Sequence, residues 1–179
     1  MGYYGLGPGM RVADQLTVLE KALRGVPVDL ATAATLDVLE TLLKNIAQNP
    51  KEGKFRRIKL ANKKISAAIT SVTPALEALL AVGFEVEEAE GELFLVLPAD
   101  VKVDFPTHVS KIIDARDYFR KENEKARVAK GLGRVAPPGE KGAEDARPAE
   151  DIAVQAAANL KWLKTVDASA YKQAMVASN

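Results

Sequence analysis

The chain has 179 residues, with 25 Lys and Arg against 24 Asp and Glu, for a formal net charge of +1. A chain so close to neutral carries no global nucleic-acid signature, so any charge effect must be local. It has no cysteine and one histidine, His108, which sets aside disulfides, thiolate nucleophiles, Cys-His catalysis and a His-rich zinc site. No apolar run approaches the ~20 residues of a membrane span. The start, MGYYGLGPGM, lacks the charged head and apolar run of a signal peptide. Leu6 also stands where a myristoylation signal needs Ser or Thr. A cytoplasmic protein, with access to the nucleus, is the expectation, without membrane contact.

Residues 1–10 are rich in Gly and aromatics and are expected to be flexible. Gly5, Gly7 and Gly9 alternate, but no Gly-Lys-Ser/Thr follows, so they do not make a phosphate loop. Val12, Leu16, Leu19 and Leu23 keep helical spacing until Arg24-Gly25-Val26-Pro27 stops the helix. Asp29 can cap the next one, which buries Leu36, Leu39, Leu43 and Ile46 and ends at Asn49, because the residue before Pro50 is pushed out of the α region. Leu42 and Asn45 lie on the shoulder of that stripe.

The window that follows is the most informative. Lys51, Lys54, Arg56, Arg57, Lys59, Lys63 and Lys64 are opposed by Glu52 alone. Phe55, Ile58 and Asn62 fall at i, i+3 and i+7, so the spacing predicts a short basic helix from Gly53 to about Leu60 with an amide ending its apolar stripe. Such an amide needs a partner or sits at the rim of a groove. Thr73-Pro74 then starts a helix, with Thr as cap and Pro in the first turn, and Gly83 ends it. From Phe84 to Pro98 the period changes to two β-prone runs around Glu90-Gly91, a hairpin. Asp104-Phe105-Pro106 opens a helix through Val109, Ile112, Ile113 and Phe119 to about Ala129, with His108 near its start as an exposed or capping side chain. Residues 131–148 read as a linker of Gly, Pro and mixed charge. Residues 149–179 read as an amphipathic helix with Ile152, Ala156, Leu160, Leu163 and Val166 in line. The expected fold is mainly α (α+β): a compact helical domain over residues 11–129 with one small β-hairpin.

At this point the residues resemble a known family. Asn45-Ile46, Asn49-Pro50, Lys54-Phe55-Arg56, Ile58-Lys59-Leu60-Ala61-Asn62, Ala75-Leu76-Glu77 and Gly83-Phe84 fit the order and spacing of a PUB domain, the peptide-N-glycanase/ubiquitin-associated module. The resemblance covers roughly residues 12–125. Gly53 departs from it, standing where a polar or acidic residue is usual. It implies a binding module without catalytic residues, metal or cofactor. Its partner would be the C-terminal tail of the AAA ATPase valosin-containing protein, which ends in acidic residues and a Leu-aromatic pair. Such an adaptor would serve ubiquitin-linked quality control, including ER-associated degradation. The resemblance also implies a groove lined by Asn45, Lys59, Asn62 and the Gly83-Phe84 loop.

The residues themselves agree with that reading. An acidic peptide with an aromatic anchor needs an apolar slot, for which Leu42, Ile46 and Phe84 are candidates, and amides for its backbone, for which Asn45 and Asn62 are. Lys59 is placed to meet a carboxylate. Two alternatives remain beside it. One is a PUB-type binder of a short motif in a deubiquitinase or another ubiquitin-pathway partner. The other is nucleic-acid binding through the Lys51–Lys64 patch, which is disfavoured because the patch lacks interleaved exposed aromatics.

Overall fold

The computed structural model describes residues 16–27, 34–131, 147–167 and 170. The expected flexible start, the linker and the first turns of the first helix fall wholly or largely outside these residues. Within them the protein is mostly helical with one small antiparallel sheet.

Helix α1, Val18–Arg24, is opened by a capping box: the Glu20 amide donates to Thr17 Oγ1 (3.3 Å) and the Thr17 amide donates to Glu20 Oε2 (2.8 Å). It buries Leu19, Ala22 and Leu23 and packs on α3, described below. Helix α2, Leu36–Gln48, buries Leu36, Leu39, Leu43 and Ile46 as the stripe predicts, and stops at Asn49. Here the expected basic helix is replaced by different structure. Gly53–Phe55 forms a single tight turn, and Arg57–Lys59 is a strand, β1. The reason is tertiary: Leu93, Leu95 and Leu97 on a neighbouring strand offer a ladder, and Ile58 turns inward between the exposed Arg57 and Lys59.

After β1, a short helical turn at Lys63–Ile65 widens into an i→i+5 turn over Ser66–Thr70, closed by the Ser71 amide donating to the Ser66 carbonyl (2.9 Å). Helix α3, Thr73–Val82, is buried nearly all round, as befits the central element of the core. Pro74 sits in its first turn, but Thr73 does not cap it; the Thr73 hydroxyl is spent elsewhere. Gly83, at φ 119°, takes the left-handed turn that lets the Phe84 amide reach the Leu79 carbonyl (3.2 Å). Strands β2, Glu85–Ala89, and β3, Glu92–Val96, are joined by Glu90-Gly91 with both φ angles positive, the turn that matches strand twist. The hairpin expected from sequence is therefore two-thirds of a three-stranded sheet in the order β1-β3-β2.

The chain then enters Phe105–Val109 and helix α4, Ser110–Ala129, whose Ile112, Ala115 and Phe119 join the core. His108 is buried, and its Nδ1 accepts from the Asp104 amide (3.1 Å). Helix α5, Ala149–Thr165, lies against the Ser66–Thr70 turn and contributes Leu163 to the same core as α1–α4 and the sheet. Its buried Asn159 is engaged at both ends of its amide: Nδ2 donates to the Thr70 carbonyl (2.7 Å), while Oδ1 accepts from Thr73 Oγ1 (3.0 Å) and Gln155 Nε2 (3.2 Å). No single helix among the described residues is long and apolar enough to cross a membrane.

Candidate functional site

A groove of about 170 Å³ opens between α2 and β1. Helix α2 supplies Leu42 and Asn45, the tight turn Lys54 and Phe55, β1 Arg57, Ile58 and Lys59, and the next short helix Asn62 and Ile65. Leu42, Phe55 and Ile65 are only partly buried, so they give the groove an apolar floor that still meets solvent. Such a floor with a few convergent polar groups is what a short peptide or small ligand requires.

Four of the side chains expected at a site from sequence (Leu42, Asn45, Lys59 and Asn62) meet here. The other three do not. Ile46 and Phe84 are 1% and 0% exposed, and Gly83 is buried at the end of α3. Ile46 sits on the inner stripe of α2, and Phe84 is drawn under the left-handed turn at Gly83, so neither can line a slot. Phe55 and Ile65 take that role instead, beside the inward-turned Ile58. The helical spacing had singled out Phe55 and Ile58, though a turn and a strand now carry them.

The polar rim is defined by its hydrogen bonds. Asn62 Oδ1 accepts from the Lys64 amide (3.0 Å), capping the short helix that follows it and leaving Nδ2 for a ligand. Among the described residues no hydrogen bond engages the Asn45 side-chain amide, whose backbone carbonyl instead receives the Asn49 amide and Asn49 Nδ2. The cations are less free. Lys54 pairs with Glu52 (2.6 Å), Arg57 with Glu87 (3.2 Å), and Lys59 with Glu92 (2.5 Å), all at exposed positions. Arg57 also lies over the Phe94 ring at 4.1 Å. Arg56, in contrast, is structural: its guanidinium donates to the carbonyls of Pro50 (3.1 Å), Pro98 (2.7 Å) and Val101 (3.2 Å), fastening the turn before β1 to the loop after β3. Among the described residues no group of three His, Asp or Glu is placed to hold a metal.

A small helical core, a three-stranded sheet and an amide-edged groove define a recognition domain. Residues 30–107 match the family model of the PUB domain, the family that the sequence resembles. It is similar to plant UBX domain-containing protein 2 of Arabidopsis thaliana, 31% identical over 105 residues, which are 59% of this chain and 22% of that protein. It is also similar to peptide-N(4)-(N-acetyl-beta-glucosaminyl)asparagine amidases. The Rattus norvegicus protein is 30% identical over 91 residues, 51% of this chain and 13% of the relative. The Homo sapiens protein is 36% identical over 67 residues, 37% of this chain and 10% of the relative. The matches thus span about a fifth or less of each relative's length, and α5 lies beyond the matched family region.

Proposed function

We propose that this chain is a non-catalytic adaptor whose α2–β1 groove captures an acidic, aromatic-ended C-terminal peptide, that of the AAA ATPase valosin-containing protein, in ubiquitin-linked quality control. The observation that carries the reading is the convergence of Leu42, Asn45, Lys59 and Asn62 on one groove, with one amide unengaged and the other holding a donor in reserve. The partly buried floor takes the aromatic ring, Asn45 and Asn62 Nδ2 bond the peptide main chain, and Lys59 and its neighbours face the carboxylates. Apolar anchor and amides set affinity, because exposed ion pairs contribute only about 0–1 kcal/mol each. The enzymatic activity named in the amidase relatives is not part of this proposal, since the match covers a binding module alone.

Calorimetric titration with a synthetic ten-residue peptide of aspartates ending in Leu-Tyr tests the reading. The expected result is saturable one-to-one binding, lost when Tyr is replaced by Ala. Equal affinity for the Ala-ended peptide, or for a single-stranded oligonucleotide of matched charge, overturns it.

A further inference from the structure

We infer that the groove reads its peptide by strand addition: the ligand pairs main chain to main chain with the free edge of β1, through Arg57 and Lys59. This rests on the peptide reading above and specifies how that peptide lies.

The alternation of the ladder fixes which backbone groups are free. In the register of β1 with β3, Ile58 opposes Leu95. Just beyond the strand ends, the Leu97 amide donates to the Arg56 carbonyl (2.7 Å) and the Leu60 amide to the Leu93 carbonyl (3.2 Å). Residues 56, 58 and 60 therefore turn their amides and carbonyls toward β3, and residues 57 and 59 turn theirs away from it. The hairpin agrees, since the two-residue turn closes on the Ala89–Glu92 pair and assigns Glu92, Phe94 and Val96 to β2. With β3 central, β1 is an edge of the sheet, and nothing among the described residues pairs with its outer side. The Lys59 carbonyl accepts from the Asn62 amide (3.3 Å), which leaves the Arg57 amide and carbonyl and the Lys59 amide.

The residues that carry those groups, Arg57 and Lys59, line the groove together with Ile58. Charge does not separate the two edges, β1 and β2, since Arg57 pairs with Glu87, Lys59 with Glu92 and Glu88 with Lys164; what separates them is that the groove, with its apolar floor, adjoins β1. The groove therefore selects the edge, and its occupant is the extended acidic, aromatic-ended segment proposed above. A strand held this way turns alternate side chains toward the groove floor, so the aromatic anchor faces the floor and its chain neighbours face away.

Two measurements on the full chain test this, both with the ten-residue aspartate peptide ending in Leu-Tyr. Backbone N-methylation, one position at a time, should give about tenfold or greater loss at the one peptide residue whose amide meets the Arg57 carbonyl, and under about threefold at the residues on either side of it. Amide exchange by NMR should show the Arg57 and Lys59 amides fast in the free protein and slowed by about tenfold or more at saturating peptide, with Ile58 and Leu60 slow throughout. A peptide that saturates the groove, shifting the Asn62 side-chain amide, while the scan shows no sensitive position and the Arg57 and Lys59 amides stay fast, overturns strand addition and leaves the groove reading standing. A peptide that fails to bind at all overturns both.

Discussion

Asn62 has two jobs on one amide, and substitutions can separate them. Its Oδ1 caps the short helix at Lys63–Ile65, and its Nδ2 is left for the ligand. Asn62→Asp keeps the capping oxygen and removes the donor, so peptide affinity should fall by about 1–3 kcal/mol while the melting temperature holds within a few degrees. Asn62→Ala should lose both, and calorimetry paired with thermal melts distinguishes the two variants. Lys59→Glu should weaken the peptide mainly through its association rate, with the defect shrinking at high salt. Stopped-flow rates at two ionic strengths check it. His108 offers a stability prediction of known sign. Burial pushes its imidazole below the ordinary value of 6.5, against the opposing pull of Asp104, so the fold holds it neutral. The unfolded chain then takes up the proton first as pH falls, and stability present above 6.5 is lost progressively below it. Melting temperatures between about pH 5 and 8 should show that decline, and His108→Gln should flatten it.

Among the elements, α5 is the one whose role depends most on packing. Leu163 is 1% exposed, and Asn159 bonds both the Thr70 carbonyl and the Thr73 hydroxyl. Leu163→Ala should cost about 2–5 kcal/mol and Asn159→Ala about 1–3, read by urea unfolding. Cutting the chain after Lys130 should therefore lower the melting temperature, yet change peptide affinity by less than about threefold, since every groove residue precedes the cut. The helices were legible because their stripes are long and their ends are marked by Asn49-Pro50, Thr73-Pro74 and Gly83. Strand β1 was not. Arg57-Ile58-Lys59 is too short to show a period, and its conformation is decided by β3, more than thirty residues away in the chain. Phe84 misled for a related reason: sequence places it beside the groove loop, but only the left-handed turn at Gly83 reveals that the ring goes inward.

At the scale of the molecule, the foldable unit exceeds the recognisable one. The family region ends at residue 107, inside the Phe105–Val109 turn, while Ile112, Ala115, Phe119 and Leu163 complete the same core. Salt bridges reinforce the joint: Lys111 meets Glu20 at 2.9 Å, and Arg116 pairs with both Asp37 and Glu40. A fragment of residues 30–107 should expose that apolar surface, and size-exclusion chromatography should show it self-associated where the full chain runs as a folded species.

The pairing of Lys54, Arg57 and Lys59 with Glu52, Glu87 and Glu92 carries a last consequence. The groove is an ion exchanger supplied with its own counter-ions. An arriving carboxylate does not find a bare cation; it must displace a tethered one, and the displaced glutamate stays nearby as a competitor. Charge alone then gains a visitor little, and a polyanion with nothing to put on the apolar floor is traded away as readily as it is taken up. Selectivity for a ligand that is both acidic and aromatic is in this way set partly by the acids the protein keeps for itself.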